Sequence, residues 1–335
     1  MSCSKLKLEW YNVTVIKNVT GGSLCKRTRT KKVILDGVSG IAEPGEILTV
    51  MGPSGGGKTS LLNVLSRRLR LTEGKILLNG QKLPKFDPLV PFTCLDNLPF
   101  FDSFLCSLSR NFNKLSAYVM QDDKLFAVLT PRELFQFSAN LRLPRSTTAV
   151  QKKHMVEMVI RKLKMEGAAN THVGDGLMRG LSGGERKRTS IGYELITNPS
   201  LLFLDEPTSG LDSFTALNLV TILKELASEG HTILCTIHQP SSDIFRLFDK
   251  LILLVQGRLA YTGPAQQAIS FFADLAFQCP TYTNPGDFFL KVLQNESLKK
   301  DSEIRLAPFY EAAKKLTPRI VRISLSFFFS SHLSQ

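Results

Sequence analysis

Apolar and polar positions change period several times along the chain, and each change marks a predicted element. Residues 6–50 have the spacing of strands and turns. Leu6, Leu8, Val13 and Val15 lead to Gly21-Gly22 and a basic stretch (Lys26, Arg27, Arg29, Lys31, Lys32), and an apolar run resumes at 33–35. In EPGEILTV (43–50), Pro44-Gly45 punctuates and Ile47, Leu48 and Val50 follow, which predicts a turn feeding a buried strand. A glycine-rich loop comes next, and SLLNVLSRRL after it has helical spacing, so the order is strand, loop, helix. GKILLNGQKL (74–83) predicts a hairpin turning at Asn79-Gly80. Residues 84–113 lose any period while holding Phe86, Phe92, Phe100, Phe101, Phe104 and Phe112, and they read as a loop-like insertion.

Thr130-Pro131-Arg132-Glu133 offers a capping box with proline at the first helical position, ahead of Leu134, Phe137 and Leu141. A second amphipathic helix is predicted over 150–165, and both fit a helical subdomain spanning about 125–188. Farther on, helix and strand patterns alternate: helix near 185–197, strand 201–205, helix 213–228, strand 232–237, helix 241–248, strand 250–255. That alternation predicts a parallel sheet covered on both faces.

Composition narrows the class. With 335 residues, 43% hydrophobic and 21% charged, 23 Gly and 16 Pro, the chain is neither collagenous, nor a coiled coil, nor mostly disordered. No run reaches the roughly 18 apolar residues that span a bilayer, so the chain is not expected to cross one by itself. Six cysteines without a C-x-x-C pair or a histidine at zinc spacing argue against a disulfide framework or structural metal, and the N-terminus lacks a signal pattern; the reducing cytosol is expected. The net charge of +13 is concentrated at the ends: residues 1–75 hold 13 basic and 5 acidic groups, and residues 291–335 hold 8 and 4. Such a balance suits a nucleic acid, a nucleotide or an anionic leaflet, and equally the solvated surface of a soluble protein.

The candidate chemistry lies between the first buried strand and its helix. Gly52-Pro53-Ser54-Gly55-Gly56-Gly57-Lys58-Thr59 fits G-x-x-x-x-G-K-[ST] in the strand–helix context that motif requires, and Ser60 follows in the same turn as a further nucleotide-binding candidate. Small residues let consecutive backbone N–H groups curl around a β-phosphate, and the helix N-terminus adds about half a positive charge. Lys58 reaches toward the β- and γ-phosphates, while the Thr59 hydroxyl is a ligand for Mg²⁺. LLFLDEP (201–207) supplies the other half: a buried strand delivers Asp205 toward Mg²⁺ through a water, and Glu206 is placed to orient or deprotonate the attacking water. Phosphoryl transfer leaves catalysis to positioning and electrostatics, so the pair reads as an NTP-hydrolysing site.

Leu181-Ser182-Gly183-Gly184-Glu185, shortly before Asp205, resembles the signature motif of ATP-binding cassette (ABC) proteins. The resemblance implies that Ser182 and the amides of Gly183 and Gly184 face the γ-phosphate held by a second cassette. Gln121 in AYVMQDD sits where the Q-loop glutamine belongs, between metal and γ-phosphate; Asp212 in SGLD resembles the D-loop, which aligns two cassettes; His238 in CTIHQPSS resembles the switch histidine that contacts the γ-phosphate. Gln121, Glu206 and His238 are the implied catalytic residues, with Thr59, Gln121 and Asp205 as the implied metal ligands. THVGDGLMRGLSGGERKR, EPTSGLDSFTA, IHQPSSDIFRLFDKLILL and NPGDFFLKV resemble the G subfamily, the eye-pigment and sterol-type half transporters.

The resemblance covers about 5–83 and 114–295 and implies an α/β, RecA-like P-loop NTPase sheet with an N-terminal antiparallel β subdomain and an inserted helical subdomain. It implies a nucleotide-binding domain over 1–295 and a membrane-spanning domain as a further partner; this chain is expected to depart from the family there, its residues 296–335 reading as a tail with no transmembrane domain. It also implies ATP and Mg²⁺ as ligands and a second cassette, identical or not, as partner. The expected setting is the cytosolic face of a membrane, where the cassette powers export of a hydrophobic or lipid-like substrate, with no nucleic-acid partner. Leu181 stands where the subfamily often has valine. Trp10 and Tyr11 lie about 40 residues before Gly52, too far for an adenine-stacking role to be assigned, and Trp10 is expected in the core. Residues 84–113 and the tail ending in RISLSFFFSSHLSQ are either genuine additions or a translated intron and a shortened reading frame. A soluble ABC ATPase acting on nucleic acid or ribosomes and a non-hydrolysing fragment are the competing readings.

Overall fold

The strand-period spacing at the start of the chain yields β1 (Leu8–Gly21), β2 (Thr28–Ala42) and β3 (Ile47–Met51). The computed structural model describes residues 5–21, 28–84, 112, 114–175, 178–294 and 306–315. β1 pairs antiparallel with β2 and with β4 (Glu73–Leu78), and β5 (Gln81–Lys82) closes a four-stranded sheet in the order β2-β1-β4-β5. The turn between β4 and β5 puts Asn79 (φ 47°) and Gly80 (φ 77°) in the left-handed region, as the predicted Asn-Gly hairpin requires.

The second sheet has six strands in the order β10-β9-β3-β8-β7-β6, with β6 (Ser116–Val119), β7 (Leu201–Asp205), β8 (Thr232–Thr236), β9 (Lys250–Val255) and β10 (Arg258–Pro264). All its pairings are parallel except that of β10 with β9. Its central strands are buried end to end, and their side chains alternate between two cores, as the pleat demands. Val50, Phe203, Leu234 and Ile252 face α1 (Lys58–Leu65) and the antiparallel sheet. Met51, Leu204, Cys235 and Leu253 face the opposite core, which also holds residues of α2 (Pro131–Arg142), α3 (Ala149–Lys162), α4 (Gly183–Leu195) and α5 (Ser213–Ser228). Trp10 is 0% exposed and joins the two sheets. Its indole lies where a Cβ on Gly40 would come within 2.4 Å of the ring, and that same Cβ would sit 3.1 Å from Ile252 of β9. The expected core role of Trp10 is therefore met.

Helix starts follow their caps more closely than their periodicity. The Thr130 hydroxyl accepts from the Glu133 N–H, and the Glu133 carboxylate accepts from the Thr130 N–H at 2.8 Å, the box predicted from sequence. Thr148 builds a second box with Gln151, so α3 begins at Ala149; it ends short of the predicted 165 because Lys164 takes φ 54°. Capping by Ser182 starts α4 two residues before the expected 185, and Ser241 caps α6 (Ser242–Arg246) inside the expected 241–248. β8 stops one residue short of the expected 237. α7 (Ala268–Asp274) and α8 (Pro285–Gln294) follow.

Most of the aperiodic 84–113 stretch lies outside the described residues, but Phe112 is fully buried in the core, under the Arg67 guanidinium. Residues 296–305 and 316–335 of the tail are likewise outside. Residues 306–315 form a helix whose Phe309 packs on Phe272 of α7 at 5.0 Å between ring centroids. No helix among the described residues is long and apolar enough to cross a membrane.

Candidate nucleotide-binding site

The glycine loop leaves β3 at Met51 and enters α1 at Lys58, with Gly57 (φ 101°) as the helix N-cap. No side chain caps that end, so its amides stay directed into the loop. The close approach of the loop to β9 is what requires glycine: a Cβ on Gly52 would lie 2.1 Å from the Leu254 carbonyl oxygen, and one on Gly56 2.9 Å from it. The Lys58 ammonium folds back over the loop, donating to the carbonyls of Gly52 at 2.9 Å and Pro53 at 3.1 Å. Burial lowers its pKa from the ordinary lysine value, while the nearby carboxylates of Glu206 and Asp205 oppose the shift.

β7 delivers Asp205 to the first residues of α1. The Thr59 hydroxyl donates to Asp205 Oδ1 at 3.1 Å, and the Tyr118 hydroxyl, from neighbouring β6, donates to Oδ2 at 3.3 Å. Burial, and then the Asp205 charge, push the Tyr118 phenol well above its usual range, so it serves as a donor. In the next strand, the Thr236 hydroxyl donates to Asp205 Oδ1 at 2.6 Å and accepts from the Glu206 N–H at 2.8 Å. Glu206 turns out of the strand with φ 46°, and its Oε2 accepts from the Gln121 amide at 3.0 Å. Thr59, Gln121, Asp205 and Glu206 therefore meet at one edge of the sheet. Thr236 and Tyr118 escaped the motif-based reading, since neither belongs to a local motif and each meets Asp205 only through the pairing of neighbouring strands.

The signature residues and Asp212 lie elsewhere on the same chain, and His238 lies across a cleft from Glu206. Ser182, Gly183 and Gly184 open α4 beside the start of α5, where a Cβ on Gly184 would fall 2.2 Å from Thr215 Cγ2. Ser182 is exposed and bonds to Glu185: its hydroxyl donates to the carboxylate at 2.7 Å, and its N–H does so at 2.9 Å. These bonds hold the Glu185 carboxyl below the usual carboxylate range. Asp212 is the N-cap of α5, accepting from the Thr215 N–H at 2.9 Å, which lowers its pKa in the same way. His238, exposed beyond the end of β8, shares with Glu206, Ser209 and Leu211 a cleft of about 310 Å³.

The oxygens gathered around Asp205 fit a small divalent cation: a buried carboxylate with both oxygens oriented by hydroxyl donors, and a threonine hydroxyl already beside it. The loop amides and the buried ammonium fit a polyphosphate. The arrangement is suited to holding a nucleoside triphosphate with its terminal phosphate toward Glu206.

A model of the ABC transporter family matches residues 35–209, and a model described as an ABC-2 type transporter matches residues 238–308. The chain is 40% identical over 336 residues to the broad substrate specificity ATP-binding cassette transporter ABCG2 of Bos taurus, covering 98% of this chain and 47% of that one. It is 41% identical over 285 residues to Protein white of Drosophila melanogaster, covering 82% and 38%. With ABC transporter G family member 13 of Arabidopsis thaliana it shares 41% over 290 residues, covering 86% and 38%. The chain thus spans less than half the length of these curated relatives. In fold it resembles the dimeric post-hydrolysis state of the ATP-binding cassette MJ0796 bound to ADP and Pi, with a TM-score of 0.57 at 24% identity over 77% of this chain and 98% of that one.

Proposed function

The chain belongs to the ABC transporter family, in its G subfamily, and on that premise we propose that it is an ATP-hydrolysing cassette that drives a dimeric half transporter from the cytosolic face of a membrane. The observation that carries the reading is the bond network in which one hydroxyl, Thr236, fixes both Asp205 and Glu206 while Thr59 and Gln121 close on the same two carboxylates.

Each residue then has a task. The amides of Gly55–Thr59 cradle the β-phosphate, and Lys58 exchanges its loop carbonyls for phosphate oxygens. Thr59 and Asp205 would hold Mg²⁺, with Gln121 beside them; when bound, the ion neutralises charge on the β- and γ-phosphates. Glu206 accepts a proton from the attacking water, whose oxygen bonds to the γ-phosphorus as the bond to the bridging oxygen of ADP breaks. Gln121 holds the Glu206 carboxylate for that transfer, and His238 approaches the γ-phosphate from across the cleft. Ser182 and Gly183, exposed at the start of α4, with the buried Gly184 behind them, offer an anion-binding helix end to the nucleotide of a second cassette, and Asp212 orders the start of α5 beside them. Closure of two such cassettes around ATP, and their reopening after hydrolysis, would move membrane-spanning helices and carry a hydrophobic or lipid-like substrate.

Steady-state turnover with Mg²⁺ and ATP tests the chemistry. Glu206→Gln is expected to lower kcat at least about a hundredfold, some 2.7 kcal/mol of barrier, with nucleotide binding retained. Turnover equal to wild type in that variant would remove Glu206 from the reaction.

A further inference from the structure

We propose that Lys187 is a positioning residue for hydrolysis, tying the serine-capped helix α4 to the segment that carries Gln121. The inference rests on the hydrolytic reading above. Lys187 lies on α4, five residues beyond Ser182, and is only 3% exposed. A buried ammonium needs partners, since an unpaired charge in the interior is strongly unfavourable. Its partners lie outside its own helix, on the stretch following β6: the Gln121 carbonyl oxygen at 2.7 Å and Asp123 Oδ1 at 2.9 Å.

What the lysine holds is the backbone of the residue whose side chain reaches the proposed base. Residues 120–123 belong to neither helix nor strand, so no ladder of backbone hydrogen bonds fixes them, and Gln121 itself is exposed. Its amide nevertheless meets Glu206 at 3.0 Å. The clamp from Lys187 sets where that amide starts. A continuous path therefore runs from Ser182 at the exposed end of α4, through Lys187 and the Gln121 backbone, to Glu206. A load applied to Ser182 by the partner's nucleotide shifts the glutamine that serves the chain's own nucleotide. Misplacing a reacting group by about 1 Å is enough to lose up to about a hundredfold in rate.

A buried ion pair with only a structural role would be lost and regained together with stability, and that separates the two accounts. Lys187→Met leaves Asp123 uncompensated, and the double variant Lys187→Met/Asp123→Leu removes both charges. We expect the single variant to lower kcat about tenfold or more with the KM for ATP within about twofold. The double variant is expected to regain the melting temperature and not the rate. Amide hydrogen exchange, measured in parallel, should accelerate several-fold over 120–123 in Lys187→Met and stay unchanged over 201–205. The proposal is overturned if kcat in Lys187→Met stays within twofold of wild type, if the double variant recovers rate along with stability, or if exchange over 120–123 does not change. Absence of turnover in the wild-type chain would sink the hydrolytic reading instead, and the exchange measurement would still decide whether Lys187 fixes the Gln121 segment.

Discussion

At position 236 a single hydroxyl donates to a carboxylate at 2.6 Å and accepts from the next residue's amide at 2.8 Å, all at the ends of two adjacent parallel strands. Valine has nearly the same shape and neither capacity, so Thr236→Val leaves the Glu206 N–H unpaired and Asp205 one donor short. The expected loss is about 2 kcal/mol of stability, by urea unfolding, and at least about tenfold in kcat, with Thr236→Ser close to wild type. His231 offers a second test at this scale. Burial holds its imidazole below the ordinary histidine value, against the pull of the Pro199 carbonyl 2.7 Å from Nδ1. Its folded pKa lies below the unfolded one, so its contribution to stability is complete above about pH 6.5 and is lost as pH falls below that. Glu185 and Asp212 are also depressed, but from ordinary carboxylate values of 4.5 and 3.8, so they act at lower pH. The melting temperature is therefore expected to drop between pH 7 and 5.5, with a flatter profile in His231→Gln.

Helix α4 shows how an element can be both a structural part and a proposed ligand surface. Its Ser182–Glu185 box satisfies orphan donors at the N-terminus, so Ser182→Ala should cost about 1 kcal/mol by thermal or urea unfolding. If Ser182 served only as a cap, ATP turnover would follow that small stability change; a loss of tenfold or more at temperatures where the variant is folded indicates the second role. The box at Thr130 was legible in the sequence because it closes within four residues; the one at Ser182 is just as local, yet the helix was expected to begin only near 185. The glycine loop between a strand and a helix was legible for the same reason, its chemistry being local to positions 52–59. What escaped were contacts made across the fold: Thr236 with Asp205, Tyr118 with Asp205, and Lys187 with Gln121 join residues 31, 87 and 66 positions apart. The length of β1 was obscured for another reason. Register shifts after Trp10 and Val13, with Asn12 at φ 50°, interrupt the two-residue alternation that marks a strand.

Across the whole molecule, two sheets meet at Trp10, and the parallel one gathers the cradle, Asp205 and Glu206 at the ends of neighbouring strands, where ligands of α/β folds bind. The order of strands β3, β8 and β7 places the loop after β3 and the carboxylates after β7 on either side of Thr236, an adjacency that follows from topology and cannot be read from spacing along the chain. Ser182 belongs to another part of the same chain and is bonded to its own helix start. On the proposed reading, one nucleotide is gripped by the cradle of one copy and the Ser182 helix of another. Light scattering on Glu206→Gln with and without Mg²⁺ and ATP tests it most directly. Adding ATP is expected to shift the mass from monomer to twice that value, and also changing Ser182 to arginine should abolish the shift; a mass that stays monomeric while ATP is demonstrably bound would show that the two copies do not share the nucleotide.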